Sequence, residues 1–164
     1  MVSNGFQQVY EGVCQILGVA PQALAPDEHG QVGFGMQLGE VPVQVAATTC
    51  LAPQAQAVED GLLLMIEFGP PDTKPARELL EALLDGNLLL GATGGPVFCR
   101  NPIDGSLLLL QALPLANLDG ERVHGLALQL AGLAQVWRSA ACAGPMHTGL
   151  GSTAPGQGPT PVYA

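Results

Sequence analysis

Positive charge is nearly missing from this chain. Five Lys and Arg residues stand singly, at positions 74, 77, 100, 122 and 138, against fourteen Asp and Glu, for a net charge of −9. Without a basic patch to neutralise a phosphate backbone, the composition argues against nucleic acid as a partner. Charge of either sign is scarce too, at 12% of residues, about half the ordinary share. A surface so poorly covered by charge either assembles with copies of itself or keeps an apolar site for something else. Long apolar runs are also lacking: no uninterrupted stretch approaches the roughly 18 residues of a membrane span. The opening MVSNGFQQVYEG has neither a basic leader nor an apolar segment, so no secretory signal is expected. Cys14, Cys50, Cys99 and Cys142 form no C-x-x-C pair and have no His cluster beside them. They read as buried or free thiols in a reducing cytoplasm.

Catalytic groups are equally sparse. The Gly91–Gly95 run has no following Lys-Ser/Thr and precedes a strand, where no helix dipole would favour an anion, so it reads as a connection. Asp27, Glu28 and His29 are consecutive and lack a second His at ligand spacing; a solvated loop is expected. Neither Ser106 nor any Cys sits in a nucleophile-elbow context. No catalytic residue, metal site or cofactor is assigned. Glu67, the one charge in an apolar strand, either reaches solvent at the strand end or is buried and paired.

Leucine is what the chain has in excess. After Thr73, a helix cap, and Pro75, tolerated in a first turn, the run LLEALLDGNLLL spans 79–90. At about 100° per residue, Ala76, Leu79, Leu80, Leu83, Leu84, Leu88 and Leu90 cover an arc of roughly 180°, against about 100° for a helix that only covers a sheet. The surplus predicts a second copy of the chain, with an interface of Leu79, Leu80, Leu83, Leu84, Asn87, Leu88 and Leu109. Asn87 falls within the arc and either closes the helix through its amide or hydrogen-bonds across a dimer axis.

Periodicity supplies the other elements. Ser3 or Asn4 caps a helix to about Leu17, with Phe6, Val9, Tyr10, Val13, Ile16 and Leu17 on one face; Gly18 and Pro21 end it. Residues 31–38 alternate, Gly39-Glu40 turns, and 41–47 alternate again. A surface loop is expected from about Thr49 to Asp60. Leu62–Phe68 is apolar on both faces, as in a central strand. Val97–Arg100, a loop at 101–105 and Ser106–Leu113 make a second hairpin. Asp119 caps a last helix with Val123, Leu126, Ala127, Leu130, Leu133, Ala134 and Trp137 on one stripe. The order α-β-β-β-α-β-β-α predicts an α+β fold with a twisted antiparallel sheet packed by helices. One domain is expected over 1–142. The Gly/Pro-rich 143–164 reads as a disordered tail.

The leucine helix with Asn87 after it, Gly91, the Asp104-Gly105 turn and the Leu113-Pro114-Leu115 exit together resemble the Tir-chaperone (CesT) family, the class I chaperones of bacterial type III secretion. The likeness extends more loosely from Phe6 to about Trp137. It implies the same order of elements, a homodimer in the bacterial cytoplasm, and a client in the N-terminal segment of a secreted effector, kept extended and secretion-competent. It admits the secretion ATPase as a further partner. The residues independently suggest where a client could lie: an extended peptide adds to a sheet edge and sends alternate side chains into pockets. Phe6, Val9, Val13, Val32, Phe34, Val41 and Val43 are the candidates, with the monomer core as the alternative for each. Two rival functions stay open: a small enzymatic or ligand-binding α+β domain, and a structural dimerisation subunit.

Overall fold

The structure, a computed structural model, describes residues 3–51, 58–69, 77–91 and 94–142. The elements are α1 (Asn4–Leu17), β1 (Gly33–Leu38), β2 (Val41–Leu51), β3 (Val58–Gly69), α2 (Arg77–Gly91), β4 (Val97–Arg100), β5 (Leu107–Pro114) and α3 (Gly120–Cys142). This is the α+β order the periodicities predict. The helix cap at Thr73 and the tail from 143 lie outside the described residues.

All strand pairs are antiparallel, and the sheet order is β1-β2-β3-β5-β4. The doubly apolar β3 and β5 are interior strands, while β1 and β4 form the two edges. Where a loop is expected between Thr49 and Asp60, the ladder instead continues: Thr49 pairs with Asp60, Cys50 with Glu59 and Leu51 with Val58. Main-chain pairing to a neighbouring strand outweighs the weak local preference of this polar stretch.

One face of the sheet carries the core. Met36, Leu38, Val41, Val43, Val45, Leu62, Leu64, Ile66 and Leu109 are buried there with Phe6, Val9 and Val13 of α1 and Val123, Ala127, Leu130, Ala131 and Ala134 of α3. Ser3 caps α1, its Oγ accepting from the Phe6 N–H at 3.4 Å, and Gly18 ends the helix at φ 68°. Asp119 starts α3, its Oδ1 accepting from the Arg122 N–H at 2.8 Å. The two helices touch backbone to backbone: a Cβ on Gly120 would lie 2.5 Å from the Gly12 carbonyl carbon. Glycine at that crossing lets α3 sit low on β2 and β3. Leu133, expected on the inward stripe, is 49% exposed, because the buried stripe runs through Ala131 and Ala134 instead.

The far end of α3 is tied down by Arg138. Its guanidinium donates to the carbonyls of Phe68 (3.0 Å), Glu67 (2.8 Å) and Glu40 (2.9 Å). Phe68 sits at an irregularity in the β3–β5 ladder, between Glu67 and Gly69. The second face of the sheet bears Leu63, Met65, Leu108 and Leu110, all half-buried. The side chain of Glu67 is likewise half-buried.

Candidate functional site

Two features of the sheet edges organise the surface. At the β1 edge, the main chain between Gly18 and Gly33 does not pair as a strand. It runs past α1 and is held there by the Gln22 N–H, which donates to the Tyr10 hydroxyl at 2.8 Å. Asp27 then closes a turn, its Oδ1 accepting from the N–H groups of His29 (2.9 Å) and Gln31 (2.8 Å). That carboxylate oxygen is therefore committed to the backbone, as a loop reading requires.

Between this segment, α1 and β1 lies a groove of about 420 Å³, lined by Tyr10, Val13, Cys14 and Leu17 of α1, by Val19–Ala20 and Gln22–Ala25 of the segment, and by Gly33–Met36 of β1. Its floor carries an aromatic pair, Tyr10 and Phe34, with ring centroids 5.0 Å apart. The lining side chains are apolar apart from Gln22 and the Tyr10 hydroxyl, which already bonds that residue's backbone, while exposed main-chain groups give the surface a mixed character. It offers burial and main-chain groups, with no convergent polar set of the kind a small-molecule site uses.

The groove opens onto unpaired backbone. Ala47 donates to the Val32 carbonyl at 2.8 Å, and β1 and β2 pair Gly33 with Ala46 and Phe34 with Val45. In an antiparallel ladder the hydrogen-bonded pairs alternate. Phe34, Met36 and Leu38 therefore face their bonds inward to β2, while the N–H and C=O of Gly33, Gly35 and Gln37 point out of the sheet. None of these groups enters a described main-chain bond outside the β1–β2 ladder, and two of the three residues are glycines.

The β4 edge differs. The Asn87 carboxamide brackets one residue of it, Nδ2 donating to the Phe98 carbonyl at 2.8 Å and Oδ1 accepting from the Phe98 N–H at 2.6 Å. Asn87 thus spends one donor and one acceptor of its amide on β4 rather than on closing its own helix.

Of the seven residues expected to meet a client, Phe6, Val9, Val13, Val41 and Val43 are fully buried in the chain's own core. Their sequence pattern marks an apolar face, and the face is covered internally by α1 and α3. Val32 and Phe34 are half-buried, and Phe34 lines the groove. Periodicity missed Cys14, Leu24 and Met36 as groove residues; Leu24 lies in a stretch with no regular period at all. Among the expected dimer residues, Leu84 (66%) and Leu88 (75%) are exposed, as is Leu89 (73%), whereas Leu83 packs on the core and Leu109 is fully buried within it. The side chains of Leu79 and Leu80 lie outside the described residues.

Two of the thiols are poorly placed for chemistry. Burial pushes the Cys50 thiol up, with Glu59 adding to the effect, and burial likewise raises Cys99. Both stay protonated at neutral pH and are weak nucleophiles. No described helix is long and apolar enough to cross a membrane.

The profile of the Tir chaperone protein (CesT) family matches residues 11–138. The chain belongs to that family. No curated protein matches it. Among solved structures, a chain of the ExsC–ExsE complex shares 18% identity at a TM-score of 0.58, over 80% of this chain and 89% of that one. A chain of the ExoT–SpcS complex from Pseudomonas aeruginosa shares 20% at 0.53, over 82% and 98%. One from the complex of the Yersinia pestis type III secretion chaperone SycH with a fragment of YscM2 shares 16% at 0.53, over 79% and 96%. These likenesses establish a common fold, and the family is one of chaperones.

Proposed function

We propose that this protein is a type III secretion chaperone that holds the N-terminal segment of a secreted effector extended along the open edge of β1. Membership of the family supports the class. The observation that carries the site is the pairing of three outward-facing backbone positions at Gly33, Gly35 and Gln37 with a groove of mostly apolar side chains beside them. A segment added there gains main-chain hydrogen bonds and sends alternate side chains against Tyr10, Leu17 and Phe34. Holding of this kind draws on apolar burial, about 25 cal/mol per Å² less the cost of ordering the client. It needs no nucleotide and no catalytic group, and it belongs in the bacterial cytoplasm, where effectors await export.

The working unit is a homodimer. Its interface is formed by the exposed Leu84, Leu88 and Leu89 of α2, with the half-buried second face of β4 and β5. A stable interface buries about 1,600 Å² in total, which two such surfaces can supply.

Isothermal titration with the N-terminal segment of the effector encoded beside this chain tests the site. Gly35→Pro removes one outward N–H at a place where proline is tolerated, an edge strand facing solvent. Binding should weaken about tenfold or more, the equivalent of about 1.4 kcal/mol, with the circular dichroism spectrum unchanged. Full affinity in a folded Gly35→Pro protein would put the client elsewhere. Failure to bind the N-terminal segment of any secreted protein would overturn the chaperone assignment.

A further inference from the structure

The two edges of the sheet are not equivalent, and a single side chain accounts for much of the difference. β4 is four residues long, and Asn101 donates to the Ser106 carbonyl at 2.8 Å just beyond its end. With Cys99 opposite Leu108 and Val97 opposite Leu110, the alternation of the ladder turns the N–H and C=O of Phe98 and Arg100 outward. Only two residues of this edge could therefore accept another strand. Asn87 occupies both groups of one of them, at 2.8 and 2.6 Å. Its carboxamide presents a donor and an acceptor side by side, the same pair a neighbouring strand would present. It reaches the edge because α2 meets the sheet at β4.

We propose that Asn87 is an edge guard: it stands in for a sixth strand at Phe98, closes the β4 edge to strand addition and leaves β1 as the edge where an extended segment can join. Open edges are general templates for pairing with other chains, and a protein whose task is to accept one extended segment must keep the other edge shut. The directing of the client to β1 rests on the chaperone reading above. The closing of β4 does not, and its test uses no client.

Asn87→Ala removes both bonds. Hydrogen exchange at the Phe98 amide should quicken roughly tenfold in dilute protein, the scale of one lost hydrogen bond. As concentration rises, protection at Phe98 and Arg100 should return while sedimentation shows species larger than those of the unaltered protein, because opened edges pair with each other. Adding Arg100→Pro, which removes the other outward N–H, should reduce that growth. An anchoring role alone would quicken Phe98 exchange equally at every concentration, with no new species, and would overturn the proposal. Unchanged exchange would overturn it too. Should Asn87→Ala fail to fold, Asn87→Leu decides by the same two readouts, since it keeps the bulk of the side chain and loses both the donor and the acceptor. These outcomes are separate from the titration of Gly35→Pro, so either idea can fail without the other.

Discussion

Asp104 shows how one residue shapes the β4–β5 hairpin. Its Oδ1 accepts from both the Ser106 N–H and the Ser106 hydroxyl, each at 2.8 Å. Gly105 follows at φ 79°, a left-handed conformation suited to glycine. The Ser106 backbone N–H, then its hydroxyl, hold the Asp104 carboxyl below its ordinary value of 3.8. Because the folded value is the lower one, the ionised form contributes stability above the ordinary value, and that contribution disappears as pH falls through the depressed one. Urea denaturation of the protein and of Asp104→Ala should show a gap in midpoint at neutral pH that narrows below pH 3.8. A gap independent of pH would mean that the loop is held by its backbone bonds alone, such as Gly105 N–H to the Asn101 carbonyl at 2.8 Å.

Among the elements, α2 departs furthest from an ordinary amphipathic helix. It touches the sheet at β4, sends Leu83 to the core, and leaves Leu84, Leu88 and Leu89 at 66–75% exposure. Solvent is an unfavourable setting for these exposed leucines, and the proposed second copy would relieve it. Leu84→Asp or Leu88→Asp should give a folded monomer by sedimentation at micromolar concentration, since neither side chain is needed inside the subunit. Leu109→Asp, by contrast, should unfold the protein, because an unpaired carboxylate would enter the core. A dimer that survives both exposed substitutions would move the interface off α2. The leucine arc was visible in the sequence. That Leu83 faces inward while Leu84 and Leu88 face outward was not, because an arc states how much surface is apolar and not what covers it.

For the molecule as a whole, Arg138 joins parts that lie far apart in the chain. It bonds carbonyls 70, 71 and 98 positions away, at the β1–β2 turn and the end of β3. Charge-assisted bonds to carbonyls are each worth about 1.5–3 kcal/mol, reduced here by partial exposure. Arg138→Lys cannot reproduce the planar fork and should lower the melting temperature by several degrees, with Arg138→Ala lowering it further. An unchanged melting temperature for both would show that α3 is seated by Val123, Ala127 and Ala134 alone.

The sequence by itself determined the order of the elements and the interior places of β3 and β5, two of the three inner strands. Alternation, the doubly apolar runs and the leucine excess are local patterns, and local conformation follows them. Tertiary structure alone decided which apolar faces were used up. Phe6, Val9 and Val13 were candidates for client surface with core as the alternative, and the packing of α1 against the sheet and α3 made them core. In the same way, Asn87 could be placed on its helix from sequence, but its partner at Phe98 depends on where α2 comes to rest against β4. Periodicity names a face; contact across the fold names its occupant. Until the chain is folded, the open edge of β1 and the guarded edge of β4 are indistinguishable stretches of backbone.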